Sequence, residues 1–417
     1  MPVQSACNLF IATELIHLHA VKTRVGAFLS FLRRTEFQAI LCDIFRNFVL
    51  QMTNPASRLL KWYSLEGRVL PWRETRDPYK IWLSEVILQQ TRIDQGIPYY
   101  HRLVERFPTV KDLADADTDT LMKYWEGLGY YSRARNLHHT AKVIATEHDG
   151  IFPDSYQELM LLKGIGPYTA RAIGSIAFNN VTGVLDGNVF RVVSRYLGDF
   201  SPIDLPGTRT CFQDRLDRWI EAATLAHEDA TLPGKFNQAM MDLGAMVCTP
   251  RSPSCTTCPL AVDCIGHSHG YAEELPIKSK KLERKTIWHH FFLVGVDAGL
   301  VWIQRRPPSG LWSHLWELPN EAVSQEAWNN ANLPSYQLMG AFKHVFTHLD
   351  MMIKVYSGME LPSSLVTEHE EAERRPRPVP LDSIGNFAFS RAVLKIFQRY
   401  LSRNAYFPSG KSENSDE

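Results

Sequence analysis

Apolar residues recur at helical spacing through most of the chain up to about residue 270, and strand-like runs join them from about residue 286. Asp77-Pro78 opens the clearest helix, with Tyr79, Ile81, Trp82, Leu83, Val86 and Leu88 as its stripe. The aspartate supplies a cap and the proline a first-turn residue with its φ already set. Just ahead, Leu70-Pro71-Trp72-Arg73 reads as a loop that exposes an aromatic ring. Further helical stretches lie around Tyr99 and Leu103, at Val110 to Leu113, Leu121 to Trp125, Val189 to Tyr196, Cys211 to Ala226 and Phe236 to Gly244. Ile287 to Val296 and Leu300 to Gln304 are strand-like, joined by the turn Asp297-Ala298-Gly299. Mixed signals continue through Val345 to Val355 and Arg391 to Tyr400. The pattern predicts an all-α domain over 55–270, a linker over 271–285, an α+β domain over 286–402 and a polar tail over 403–417. Residues 1–54 carry helical stretches but no motif. Glu14, His17 and His19 interrupt a signal-like core, and Glu36 and Asp43 argue against a transit peptide. Two readings stay open there: an extension of unassigned role, or a start placed too early with Met52 as the true beginning.

Several residues stand where a packed helix does not need them. Glu85 falls beside Ile81, Trp82, Leu88 and Gln89 on the apolar stripe. A carboxylate there loses hydration, so its pKa rises and it can hold a proton near neutrality. A glutamate at the stripe's edge with its head in water fits the same spacing. Gly164-Ile165-Gly166 is a tight hairpin and Pro167 opens the next helix. The glycines allow close approach of a partner, and the free N–H groups of the helix start suit a phosphate oxygen. A purely structural turn would look the same. Asp186 follows Gly166 by twenty residues, between an apolar strand-like run and a new helical pattern. Gly127-Leu128-Gly129-Tyr130-Tyr131-Ser132-Arg133-Ala134-Arg135-Asn136 sets tyrosines beside arginines. That suits base stacking with charge on phosphates; core tyrosines and a solvated arginine face are the plainer alternative.

The length of 417 residues suits two or three domains. The net charge is +0, so contacts to nucleic acid have to come from local patches and backbone N–H groups. One such patch is the linker segment Lys278 to Lys285, with five positive charges to one negative, although linkers are often merely charged and solvated. No run approaches the ~20 apolar residues of a membrane span. Seven cysteines are too few for a disulfide scaffold, and four of them, Cys248, Cys255, Cys258 and Cys264, fall within 17 residues. Clustering of this kind points to a reducing compartment and a metal site, with Cys7, Cys42 and Cys211 as scattered thiols. Four thiolates can hold zinc or an iron–sulfur cube; zinc usually takes two CxxC knuckles, and only one pair here is that close.

The glycine hairpin followed by Asp186 resembles the helix-hairpin-helix DNA glycosylase superfamily. WLSEVILQQT (Trp82 to Thr91), GLGYYSRARNL (Gly127 to Leu137), LDGNVFRV (Leu185 to Val192) and FNQAMMDLGAMVC (Phe236 to Cys248) narrow the resemblance to its adenine DNA glycosylase (MutY) family, over roughly residues 57–270. Residue chemistry alone stops at a base-excising DNA enzyme. The resemblance implies hydrolysis of the glycosidic bond of adenine opposite 8-oxoguanine or guanine in double-stranded DNA, by a cytoplasmic, nucleoid-associated monomer with no membrane partner. It implies that Glu85 protonates adenine N7 and helps activate water, that Asp186 stabilises the sugar cation, and that Asn188 supports water and sugar. Arg68, Trp72, Leu88 and Gln238 would line the adenine pocket. Gln90, Thr91, Leu128 and Tyr130 would probe the opposite strand, and Gly164 and Gly166 would grip a phosphate. The spacing Cys248-x6-Cys255-x2-Cys258-x5-Cys264 looks like the 4Fe-4S loop of endonuclease III and its relatives. Lyase members of the superfamily read G-x-G-x-K-T-A in the hairpin; Tyr168 stands in the lysine's place, before Thr169-Ala170. Without that amine the Schiff-base route is closed, and Lys163 is no equivalent. Residues 286–402 are similar to the family's Nudix-like domain, through Pro307 to Trp312 and Leu315 to Pro319. A REx2EE-type helix is missing after Asn320, so pyrophosphatase activity is not expected. The family's Phe-Ser-His loop for 8-oxoguanine reads Phe346-Thr347-His348 here. Competing readings are an endonuclease III-like pyrimidine glycosylase with lyase activity and a non-catalytic DNA-binding iron–sulfur protein.

Overall fold

Several helices begin where the sequence supplies a cap or a proline. In the computed structural model, which describes residues 54–227, 229–279, 284–346, 348–366 and 375–401, the first is α1 (Ala56–Glu66), followed by a short 3-10 turn at Pro71–Arg73. In α2 (Pro78–Leu88) the Asp77 carboxylate accepts the Tyr79 N–H at 2.9 Å. Then come α3 (Ile93–Arg106), α4 (Val110–Ala114), α5 (Thr118–Trp125) and α6 (Ser132–Glu147). After α7 (Tyr156–Leu161), the hairpin leads into α8 (Pro167–Ala177) with Pro167 in the first turn. Asp186 caps α9 (Gly187–Leu197), and α10 (Pro206–Ala226), α11 (Leu232–Met246) and α12 (Ile265–Ser268) complete the helical portion. The segment 1–53 with its helical stretches, Met52, Cys7 and Cys42 lies outside the described residues. So do Lys280 to Glu283 of the linker, Thr347 and everything beyond Leu401.

Two units form. One holds the described residues up to Glu85, Pro153–Leu161 and those from Ile165 to the linker. Its core gathers Leu59, Val193, Phe212, Trp219, Phe236 and Leu243, with α11 packed on α1, α8, α9 and α10. Phe236 is fully buried, so truncation to alanine there costs about 3–5 kcal/mol. Gly244 lets α11 and α9 meet closely, because a Cβ on it would stand 2.7 Å from the Asn188 Cβ. The run before Asp186, read as strand-like, is extended backbone without strand partners. It is pinned from the side instead: the Gly183 N–H donates to the Asp217 carboxylate and the Val184 N–H to the Asn237 side-chain Oδ1 at 2.9 Å.

The other unit holds Val86–Phe152, Leu162–Gly164 and the strand-bearing portion. Its strands are β1 (Lys285–Val294), β2 (Leu300–Arg305), β3 (Trp316–Glu317), β4 (Asn320–Val323), β5 (Gln337–Val345), β6 (Leu349–Gly358) and β7 (Arg377–Pro380). They make one sheet in the order β4-β1-β6-β5 and another in the order β3-β2-β7, with β1 parallel to β6. Two helices accompany them, α13 (Gln325–Asn329) and α14 (Arg391–Tyr400); α14 packs Ala392, Val393, Ile396 and Phe397 into a core with Phe291, Ile303, Ile353 and Phe389. The continuous signal from Val345 to Val355 proves to be a strand end, a turn and a second strand: the Phe346 N–H donates to the Leu349 carbonyl at 2.8 Å and closes the hairpin. After Asn320, β4 and the five-residue α13 occupy the place of a metal-box helix. Among the described residues no helix is long and apolar enough to cross a membrane.

Candidate active site

Glu85 is the centre of a buried polar cluster. It sits near the end of α2, 7% exposed, and the Tyr168 hydroxyl from the first turn of α8 donates to its Oε2 at 2.7 Å. Tyr168 also lies 3.6 Å from the Met241 sulfur. Burial pushes the Glu85 carboxyl up to about 7; the Tyr168 hydrogen bond opposes this, the Asp186 charge adds to it, and the Arg73 charge opposes it. The head-in-water alternative is thereby excluded. Asp186 ends the extended run and caps α9, its Oδ1 accepting the Val189 N–H at 2.7 Å and its Oδ2 the Asn188 amide at 3.1 Å. A helix N-terminus favours an anion. Burial is nevertheless the largest influence on Asp186 and raises its pKa, while the bonds from Val189 and Asn188 pull it back. The Asn188 side-chain oxygen accepts from Arg191 at 2.8 Å, and Arg191 also donates to the carbonyls of Gly244 and Cys248.

The adenine-pocket candidates have differing surroundings. Trp72 is not exposed; the 3-10 turn tucks its ring inward to 6% exposure. Gln238 accepts the Tyr63 hydroxyl at 2.8 Å. Arg68 is tied through its Nε to Asp242 Oδ1 at 2.8 Å and through its backbone N–H to Oδ2 at 2.9 Å. Arg73 joins it with two 2.7 Å bonds to the same carboxylate. Burial alone would raise Asp242; the two guanidiniums outweigh it and hold the carboxyl below its usual range. Arg73 and Asp242 were missed in the sequence. Gln238 and Asp242 are four residues apart and therefore share a face of α11, which was the available signal. Glu85, Tyr168, Asp186, Asn188, Arg68, Trp72 and Gln238 fall in one unit; Leu88, half-buried at the end of α2, is assigned to the other.

In that second unit, Gln90 (φ 59°) and Tyr130 (φ 46°) adopt left-handed backbone, which costs a non-glycine residue of order 1 kcal/mol or more and persists only where neighbours enforce it. The enforcing group is Arg133. It is buried, contrary to the phosphate and solvated-face readings alike, and its guanidinium donates to the carbonyls of Val86, Ile87 and Gln89 at 2.7–2.8 Å and to those of Leu128 and Gly129 at 3.3 Å. Its Nη2 lies 3.3 Å from the Thr91 hydroxyl. Burial pulls this guanidinium down to about 10, still charged at neutral pH. Leu128 is buried and Tyr130 is 42% exposed. In the hairpin, Gly164 has φ +84°, and nothing lies within 4 Å of where a Cβ on Gly166 would be, so the backbone there is open to close approach. Phe346 is half-buried among Trp312 (5.4 Å between centroids), His344 (4.7 Å) and the exposed His348 (6.2 Å). Burial, with Lys395 and Arg391 nearby, drives His344 down to about 4, so the ring beside Phe346 is neutral. Thr347 lies outside the described residues.

Cys248, Cys255, Cys258 and Cys264 line one small, partly open pocket together with Arg195 and His267. Among the described residues no three His, Cys, Asp or Glu side chains are gathered closely enough for a single ion, whereas four thiols around a cavity fit a larger inorganic cluster. Arg195 stands 3.4 Å from the Cys248 sulfur and donates to the carbonyls of Thr249, Pro250 and Leu275. Burial pushes the Cys258 thiol up to about 12, with further upward pressure from the other three sulfurs. Such a set needs a cationic metal to be held as thiolates.

A helical core that buries a carboxylate against the helix that follows a glycine hairpin is the arrangement expected of a base-excision glycosylase, and the family comparisons place the chain in that class. The family profile of the HhH-GPD superfamily base excision DNA repair protein matches residues 83–200, and a NUDIX domain profile matches 290–399. The chain is 35% identical over 301 residues to the adenine DNA glycosylase of Buchnera aphidicola subsp. Baizongia pistaciae, covering 71% of this chain and 83% of that one. It is 33% identical over 421 residues to the Mus musculus adenine DNA glycosylase (84% and 79% covered) and 32% over 425 residues to that of Homo sapiens (86% and 76%). The chain belongs to the adenine DNA glycosylase family.

Proposed function

We propose that the chain acts as a monomer on double-stranded DNA, hydrolysing the glycosidic bond of adenine opposite 8-oxoguanine or guanine without a lyase step. The observation that carries this is Glu85, buried, raised to about 7, and held by a tyrosine hydroxyl at 2.7 Å. A carboxyl poised near the working pH is a general acid that can return as a base. Adenine leaves the stack and enters the pocket of Trp72, Arg68 and Gln238; Leu88 is a further contact for the base. Glu85 gives its proton to adenine N7; the N9–C1′ bond breaks with its electrons on the base. The carboxylate then takes a proton from the water that bonds to C1′. Asp186, fixed by Val189 and Asn188, balances the cationic sugar meanwhile. Gly164, Gly166 and the N-terminus of α8 hold a backbone phosphate. Gln90, Thr91, Leu128 and Tyr130 probe the opposite strand, and Phe346-Thr347-His348 reads 8-oxoguanine. Cys248, Cys255, Cys258 and Cys264 would hold a 4Fe-4S cluster, which when bound binds their loop into one rigid body. The place of work is the compartment that holds the DNA, the nucleoid in a bacterial cell.

The test is single-turnover cleavage of duplexes with A opposite 8-oxoguanine, G or C. Fast, slower and negligible release in that order is expected, with no borohydride-trapped adduct. Equal rates on all three, or none on the first, would overturn the reading.

A further inference from the structure

The tandem tyrosines have opposite fates. Tyr130 is partly exposed, whereas Tyr131 is 4% exposed and sends its hydroxyl into backbone from distant parts of the chain. That hydroxyl donates to the Phe389 carbonyl at 3.0 Å and accepts the Gly127 N–H at 3.3 Å. A second tether runs beside it. The Phe389 N–H donates to Glu126 Oε1 at 2.8 Å, Lys123 Nζ lies 2.7 Å from Glu126 Oε2, and Lys123 donates to the Phe387 carbonyl at 3.0 Å. Both backbone groups of Phe389 are thus gripped by the residues that flank one loop. Phe389 is itself fully buried, edge-on to Phe397 at 5.0 Å, and the neighbouring Ala388 carbonyl takes the Trp316 N–H. The anchor therefore belongs to the core of the strand-bearing portion. On the far side of the loop, Trp125 donates to the Gly129 carbonyl at 3.1 Å. Packing would need only the ring of Tyr131; a buried hydroxyl bridging two backbone groups fixes position.

We propose that Tyr131 is a positioning residue for opposite-base recognition, its hydroxyl fastening Gly127–Tyr130 to Phe387–Phe389 so that the C-terminal portion sets where Tyr130 stands. This rests on the reading of Tyr130 as a probe of the opposite strand. Glu126 serves the same end through the Phe389 N–H.

The test uses the full-length protein. Tyr131→Phe keeps the ring and removes both hydroxyl bonds. The single-turnover rate ratio for A opposite 8-oxoguanine over A opposite guanine should fall about fivefold, the worth of one net hydrogen bond. Glu126→Ala should move the ratio the same way, and the double variant by less than the product, since both act on Phe389. In DNA-free protein, hydrogen exchange should rise together at Gly127–Tyr131 and at Phe389. A lower Tm with an unchanged ratio, or faster exchange on one side only, would overturn the proposal. If Tyr131→Phe does not fold, Glu126→Ala, whose side chain is partly exposed, carries the same ratio measurement. Tyr130→Ala reads the underlying assignment separately. Should it keep the full ratio while Tyr131→Phe loses it, the Tyr130 assignment fails, and with it the claim that Tyr131 acts through Tyr130, leaving only the fastening of the Gly127–Tyr130 loop as relevant to recognition. Should Tyr131→Phe keep the full ratio, the positioning fails whatever Tyr130 does.

Discussion

At Glu85, the proposed catalytic role and stability pull in opposite directions. The folded protein holds this carboxyl at about 7 against an ordinary 4.5, so it binds more protons than the unfolded chain across that interval. The stability this group contributes is whole below pH 4.5 and disappears as pH rises through about 7, a loss of about 3 kcal/mol for a lift of that size. Glu85→Gln should therefore be more stable than the parent above pH 8, by up to that amount, while excision falls by two orders of magnitude or more. Urea unfolding at pH 5 and 8 beside single-turnover assays checks both, and a variant as active as the parent would remove Glu85 from the chemistry. In the parent, kcat/KM should decline as pH rises through about 7, because the protonated form is the acid. Tyr168→Phe removes a bond that favours the carboxylate, so the declining limb should move to higher pH. A limb that stays put would mean that the 2.7 Å bond does not tune the acid.

In the helix α9 the capping role of Asp186 and its proposed catalytic role can be separated by mutation. Asp186 caps it through the Val189 N–H, and asparagine caps about as well as aspartate. Asp186→Asn should keep the Tm within a degree or two yet lose at least a hundredfold in excision; Asp186→Ala should lose the activity and about 1 kcal/mol of stability besides. Equal activity in Asp186→Asn would reduce the residue to a cap. Elements of this kind were legible in the sequence because their signals are local: Asp77-Pro78 at α2, Pro167 at α8, the Asp297-Ala298-Gly299 turn between β1 and β2. What was not legible depends on distant partners. Arg73 meets Asp242 across 169 residues, and Arg133 finds carbonyls more than forty residues away, so a basic helix start looked like a surface. Trp72 was misread for the same reason: proline-flanked loops are usually exposed, and only the surrounding helices bury this one. The mixed signal from Val345 to Val355 hid the break between β5 and β6 because the two strands follow each other so closely.

Across the whole molecule, charge sets how the protein should meet its substrate. Lys and Arg total 45 against 45 Asp and Glu, and several arginines are tied inside the fold. Arg68 and Arg73 are held by Asp242, Arg191 and Arg195 by carbonyls around the cysteine loop, and Arg306 by Glu317. Those cations are engaged by carboxylates or carbonyls within the protein, which leaves fewer to displace counterions from DNA. In the proposed reading the glycine hairpin would grip phosphate through N–H dipoles, which orient without adding a full charge. Salt dependence should therefore be shallow. With about three phosphates neutralised, log K against log salt has a slope of about −3, or roughly a sixtyfold weakening between 50 and 200 mM, where a protein making six to ten such contacts loses 10³–10⁵. Fluorescence anisotropy with a duplex carrying a non-hydrolysable adenosine analogue opposite 8-oxoguanine measures this directly. A slope steeper than about −5 would show that a basic surface, with the segment around Lys278 to Lys285 as the first suspect, carries the affinity in place of the hairpin and the pocket.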